Sequence, residues 1–188
     1  MKKLRITFNS PVVLAFAFIC LIATILGTVS GGSITNDFFV TYRSPLTNPL
    51  TYLRAISHVF GHAGWEHLIS NMSFILLLGP ILEEKYGSEK IVGVIALTAI
   101  STAVINAVIS PNAGVCGASG VVFAFIILSS FTNFKEGEIP LTFILVAAIY
   151  IGQQVIEGIF VQDNISQMAH IIGGAVGAYV GYVWNKRR

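Results

Sequence analysis

Charge is what this sequence has least of. Of its 188 residues only 11% are charged, while 54% are hydrophobic and the mean hydropathy is +0.77. A soluble domain carries about 25% charged residues, so the chain has too few to coat a globule and is expected to be an all-α polytopic membrane protein. Cysteine is equally scarce: Cys20 lies inside an apolar run and Cys116 in a loop, at different expected depths, so no disulfide is expected. There is no repeat, low-complexity tract or linker, and residues 1–188 are read as a single domain. The apolar runs lack strand alternation, which excludes a membrane barrel. Helices are the other structure that satisfies its own backbone polar groups in lipid.

What is present is a series of runs near the roughly 20-residue length that crosses a bilayer. Six spans are expected: Pro11–Val29, Leu68–Leu82, Ile91–Ile109, Ser119–Phe134, Pro140–Ile156 and Met168–Trp184. The opening MKKLR resembles a signal peptide, but its apolar run is long and no clean small-x-small site follows. It is read as an uncleaved first span. With the N-terminus inside, nine basic residues (Lys2, Lys3, Arg5, Lys85, Lys90, Lys135, Lys186, Arg187 and Arg188) fall on the cytoplasmic side. Only Arg43 and Arg54 fall outside, a split that the positive-inside rule predicts for two cytoplasmic termini. The longest piece between spans is the outer loop 30–65, whose Phe38, Phe39, Tyr42 and Tyr52 suit the headgroup level. A short outer loop is expected at Glu157–Gln167 and a tight cytoplasmic turn at Asn133–Ile139.

Polar side chains at membrane depth are costly and so are candidates for function. All four histidines, His58, His62, His67 and His170, fall at or near the outer boundary. His67 and Asn71 are four apart and share a helix face, where they could act as interhelical glue or as hydrogen-bond donors to a reacting group. Gly173, Gly177 and Gly181 continue the stripe begun by His170, a small-x-x-x-small face that lets helices approach closely. The stretch GVCGASGVVFAF places Ser119 at a helix start among glycines, where a serine is ordinarily a cap. The alternative is a nucleophile, since a helix N-terminus offers free N–H groups to an oxyanion and a histidine lies at similar depth. Val121 stands where a soluble nucleophile elbow needs its second glycine, so this is not that motif. With no carboxylate at matching depth, a Ser–His dyad is the arrangement favoured.

Several pieces then occur in a specific order: Arg54 before SHVFGH, His67-x-x-x-Asn71, Glu83 in LEEKYGS, GASG, and AHIIGGAVG. In this order the chain, from about Tyr52 to Tyr182, resembles the rhomboid intramembrane serine proteases. The resemblance implies a rhomboid-like fold of six spans, Ser119 as nucleophile and His170 as general base. It places the Ser119 N–H, His67 and Asn71 at the oxyanion and Gly117 at the tight approach to the site. Gly173 and Gly177 become the close-packing positions, Glu83 a structural residue, and Arg54 the anchor of a lateral loop. Glu157–Gln167 becomes a mobile cap over the site. Two departures stand out: Phe123 occupies the position of a tyrosine that stacks on the catalytic histidine, and Leu53 precedes Arg54 where a tryptophan is usual.

The implied activity is endoproteolysis of transmembrane-helix substrates near the outer face of a cell membrane. It needs no cofactor or metal and no nucleic-acid partner; the partners are transmembrane substrates and the lipid bilayer, with oligomeric state left open. His58, His62 and Gln167 could form a water-retaining rim. A metal protein built on His58, His62 and His67 is the rival class, but His67 lies about 140° round a helix from His62, which spoils a single-face site. A catalytically silent relative and a small transporter are two further rivals, the transporter weakened by the absence of doubled halves.

Overall fold

The computed structural model describes residues 7–132, 139, 141–160 and 167–186. They form α1 (Pro11–Val29), α2 (Ser33–Phe38), α3 (Pro49–Ser57), α4 (Trp65–Tyr86), α5 (Ser88–Ile109), α6 (Ser119–Ser129), α7 (Leu141–Phe160) and α8 (Gln167–Lys186). No strand occurs among the described residues; one isolated bridge pairs Thr41 with Val115. Helices α1, α4 and α5 are each long and apolar enough to cross a membrane, and α6 is a shorter apolar helix. α4 and α5 extend past the expected spans because their end turns are polar or charged, which hydropathy reads as outside.

α6 is apolar all round, as a helix enclosed by others must be. It packs against α4, α5 and α8, and buries Val121, Val122, Ala124, Phe125 and Leu128. On the outer helices the pattern inverts. α1 turns Phe18, Ile22, Ile25 and Leu26 outward while Val13, Phe16 and Cys20 face the core. A continuous apolar exterior of this kind is a lipid-facing surface.

α1 begins at Pro11, where the missing N–H costs nothing. Its next two amides donate to Glu83 at the far end of α4: Val12 N–H at 3.1 Å and Val13 N–H at 3.0 Å. Glu83 also accepts the Ser88 hydroxyl at 2.7 Å, so one buried carboxylate caps α1 and braces the turn into α5. The cap sits on the positive end of the α1 dipole. Glu83 is therefore a structural residue, but it holds a helix start and not the loop.

The expected loop 30–65 contains α2 and α3. Asn48 caps α3 by accepting the Leu50 N–H at 3.0 Å, with Pro49 in the first turn. Arg54, buried on α3, donates from Nε to the Asp37 carbonyl (2.8 Å) and from its terminal nitrogen to the Tyr42 hydroxyl (2.7 Å). Its guanidinium also lies 4.9 Å from the centre of the Tyr42 ring. Ser57 Oγ donates to the Phe38 carbonyl. Arg54 thus joins two parts of the loop, at Asp37 and Tyr42, without a preceding tryptophan.

Candidate active site

Ser119 is the first residue of α6, and the N-cap position belongs to Ala118, with no side-chain cap. The capping reading therefore fails for Ser119. Its hydroxyl is not spent on the helix and has no hydrogen-bond partner among the described residues. The half-buried side chain stands at the end of a helix whose first amides are free to face an anion.

The glycine stripe of α8 brings the helix that carries His170 against α6. A Cβ on Gly173 would lie 2.7 Å from the Gly120 carbonyl carbon and 2.9 Å from the Gly120 Cα. One turn further, a Cβ on Gly177 would meet the Ala124 carbonyl carbon at 3.0 Å, and on Gly181 the Phe131 ring at 2.6 Å. α6 and α8 thus run backbone against backbone, and Gly120 in turn faces the Ala169 carbonyl at 3.2 Å from its own notional Cβ. The residue after the serine is pressed against the residue before the histidine. In this register the Phe123 and His170 rings have centroids 4.6 Å apart, tilted by 42°. Phe123 accordingly occupies the stacking position without a hydroxyl.

The other wall is built on Gly117. Its amide donates to the His58 carbonyl at 2.9 Å, its φ is +126°, and a Cβ there would lie 2.6 Å from His67 Cε1 and 2.8 Å from Nε2. Only glycine takes that conformation at low cost and leaves room for the imidazole. His67 is therefore seated directly against the loop that leads into Ser119. Asn71, one turn along α4, is buried and its Nδ2 has no hydrogen-bond partner among the described residues. A buried amide left unpaired is costly, and such groups collect where a ligand completes them.

His62 packs its ring against His67 edge-on, with centroids 5.1 Å apart. His58 and His62, both outside the spans, point Nδ1 at the carbonyls of Arg54 (3.1 Å) and Phe60 (3.2 Å). Burial pushes both imidazoles down to about 4, with the neighbouring His67 adding to the effect on His62. They are neutral at pH 7. Among the described residues no group of three or more His, Cys, Asp or Glu is placed to hold a metal ion.

The candidates expected from the sequence, Ser119, His67, Asn71, Gly117, Phe123 and His170, lie at this end of the bundle. Sequence reasoning missed the stitching of the site to the long loop: the Thr41–Val115 bridge and the Asn106 Nδ2 donation to the Ala113 carbonyl at 2.9 Å. Main-chain partners leave no residue-type signal to find. Of the expected cap, 157–160 belong to α7 and 161–166 lie outside the described residues, as do 133–138 of the expected turn.

A rhomboid domain model matches residues 49–187. Rhomboid-related protein 1 of Caenorhabditis elegans is 30% identical over 141 residues, covering 69% of this chain and 39% of that protein. Rhomboid-related protein 2 of Mus musculus is 30% identical over 158 residues, covering 73% and 52%. The rhomboid protease GlpG of Haemophilus influenzae is 27% identical over 138 residues, covering 72% and 71%. The chain spans about half or less of the first two relatives' length. With three quarters of its sequence inside the matched domain and an apolar all-helical bundle beneath it, the chain belongs to the rhomboid family, whose members are generally intramembrane proteases.

Proposed function

We propose that the protein is an intramembrane serine endopeptidase working by a Ser119–His170 dyad. The observation that carries this reading is the backbone contact of Gly120 with Gly173, which brings the helix bearing His170 against the helix that begins with Ser119. The Ser119 hydroxyl attacks the carbonyl of a substrate peptide bond while the His170 imidazole takes its proton. Negative charge then develops on the carbonyl oxygen, facing the Ser119 N–H, Asn71 Nδ2 and His67. Collapse breaks the C–N bond, His170 returns the proton to the leaving amine, and an ester to Ser119 remains. Water, deprotonated by His170, hydrolyses that ester and restores the serine.

The substrate class is a transmembrane helix that enters from the bilayer and unwinds locally to expose its carbonyl. The wider setting is a six-span chain in a cell membrane, with both termini cytoplasmic and the Ser119 end opening to the extracytoplasmic side. Labelling by a fluorophosphonate probe tests the activated serine whatever the natural substrate is. The wild-type chain should be labelled, and Ser119→Ala and His170→Ala should not. A Ser119→Ala chain that still cleaves a model transmembrane substrate would refute the mechanism. His67→Ala and Asn71→Ala should each slow cleavage roughly a hundredfold, the usual cost of one oxyanion donor.

A further inference from the structure

A second concave feature lies away from the catalytic cluster. Residues 41–46 and α3 stand over α5 and enclose a groove of about 1060 Å³, the size of a ligand pocket. Its floor is one face of α5, where Ile100, Val104 and Val108 are exposed at successive turns. That row spans roughly 12 Å of helix, running from the Ser119 end of the bundle toward its middle.

The loop's polar groups are largely turned on one another. Ser44 and Thr51 hydroxyls are 2.9 Å apart, Thr51 Oγ1 donates to the Pro45 carbonyl at 2.8 Å, and Tyr52 to the Leu46 carbonyl at 3.0 Å. Arg43 is the exception. It lines the groove, is exposed, and among the described residues forms neither a hydrogen bond nor an ion pair. The other arginine of the loop, Arg54, is fully engaged with Asp37 and Tyr42. The feature is therefore an apolar slot with a single unused guanidinium and the exposed aromatics Tyr42 and Tyr52, residues of headgroup depth.

We propose that this groove binds one anionic phospholipid from the leaflet on the Ser119 side, its phosphate on Arg43 and an acyl chain along Ile100, Val104 and Val108. A guanidinium fork matches phosphate oxygens in pairs, and an acyl chain matches a slot that is apolar along its length. A substrate helix fits poorly for a geometric reason. The opposite face of α5 carries Thr98 and Thr102, which lie 3.4 and 3.7 Å from a notional Cβ on Gly120, so α5 itself stands between the groove and Ser119. The proposal does not depend on the protease reading. Both Thr41 and Tyr42 belong to the segment bridged to Val115, so an occupant here would brace the loop that leads into the site.

The test is native mass spectrometry of the full chain, purified with equal amounts of phosphatidylglycerol and phosphatidylcholine. The wild type should retain phosphatidylglycerol in preference, and Arg43→Ala should lower that preference about fivefold, the worth of one basic side chain at an anionic surface. Val104→Trp, which fills the slot, should remove retention of both lipids. An unchanged preference in Arg43→Ala, or undiminished retention in Val104→Trp, would overturn the site. So would displacement of phosphatidylglycerol by glycerol phosphate, which would mark an anion site with no role for the acyl chain. A photo-crosslinker replacing Val104 in native membranes should capture lipid; capture of a protein would overturn the proposal in favour of a partner helix.

Discussion

The seam between α6 and α8 and the groove between the long loop and α5 are both built from small and apolar residues, yet one is closed and the other open. In the seam, Gly173 and Gly177 face main-chain atoms of Gly120 and Ala124, and no room is left for a side chain. Along the groove, Val104 and Val108 project into space, with 58% and 75% of their surfaces exposed. Lipid tails are as apolar as leucine, so close van der Waals packing rather than hydrophobicity holds membrane helices together. A helix pair closes only where missing side chains let backbones meet. The proposed dyad sits at the closed contact, and the open one is left for something soft.

Mutations should separate the two regions sharply. Gly173→Val would drive two methyl groups into the Gly120 backbone; overpacking of this kind costs about 1–3 kcal/mol or more. Fluorophosphonate labelling should be lost and thermal stability in detergent reduced together. Survival of labelling would mean that the α6–α8 contact does not set the dyad.

Gly117→Ala comes next. The new methyl would meet the His67 ring at 2.6 Å, at a backbone φ of +126°. A strained residue costs about 1–3 kcal/mol, and the cleavage rate should fall more than stability because the displaced group lines the site. Equal losses of both would reduce Gly117 to a turn residue.

Acid should act on the His58 and His62 side of the site. Both imidazoles titrate near 4 in the folded chain against 6.5 in the unfolded one, so the unfolded state binds more protons between these values. Stability is complete above pH 6.5 and should decline as the pH falls toward 4. Melting curves at about pH 7.5 and about pH 5 should show the drop, and the pair His58→Gln with His62→Gln should flatten it. The smallest effect belongs to the open region: Leu46→Ser, at a residue 74% exposed on the groove, should change stability by less than about 0.5 kcal/mol.

Much of the site was legible because its chemistry resides in side-chain types. Histidine and asparagine at membrane depth are rare enough to be noticed, and a glycine stripe ending in His170 announces a close helix contact. Ser119 was harder, since a serine at a helix start is ordinarily a cap; the structure removes that reading by giving the N-cap to Ala118, and the nucleophile role stays a proposal. Glu83 was visible as structural but not as the cap of α1, because its partners are the amides of Val12 and Val13, which any residue would offer. The helices α2 and α3 were hidden inside a loop for a similar reason: they are short, and their stability comes from Arg54, Ser57 and neighbouring carbonyls rather than from a long apolar period. The groove has no sequence signature at all, since valine and isoleucine facing lipid read the same whether or not a loop overhangs them.

By itself the sequence determined the class of solvent and the inventory of chemistry. So apolar a chain must satisfy its backbone internally and therefore runs as helices, and the identities of Ser119, His170, His67 and Asn71 are fixed by the polymer. Only the tertiary structure decided which of the helices that carry them meet. Hydropathy sets that a helix lies in the bilayer, but its rotation and depth are set by packing against neighbours. Here that packing is Gly173 on Gly120 and His67 on Gly117, contacts whose geometry comes from side chains that are absent.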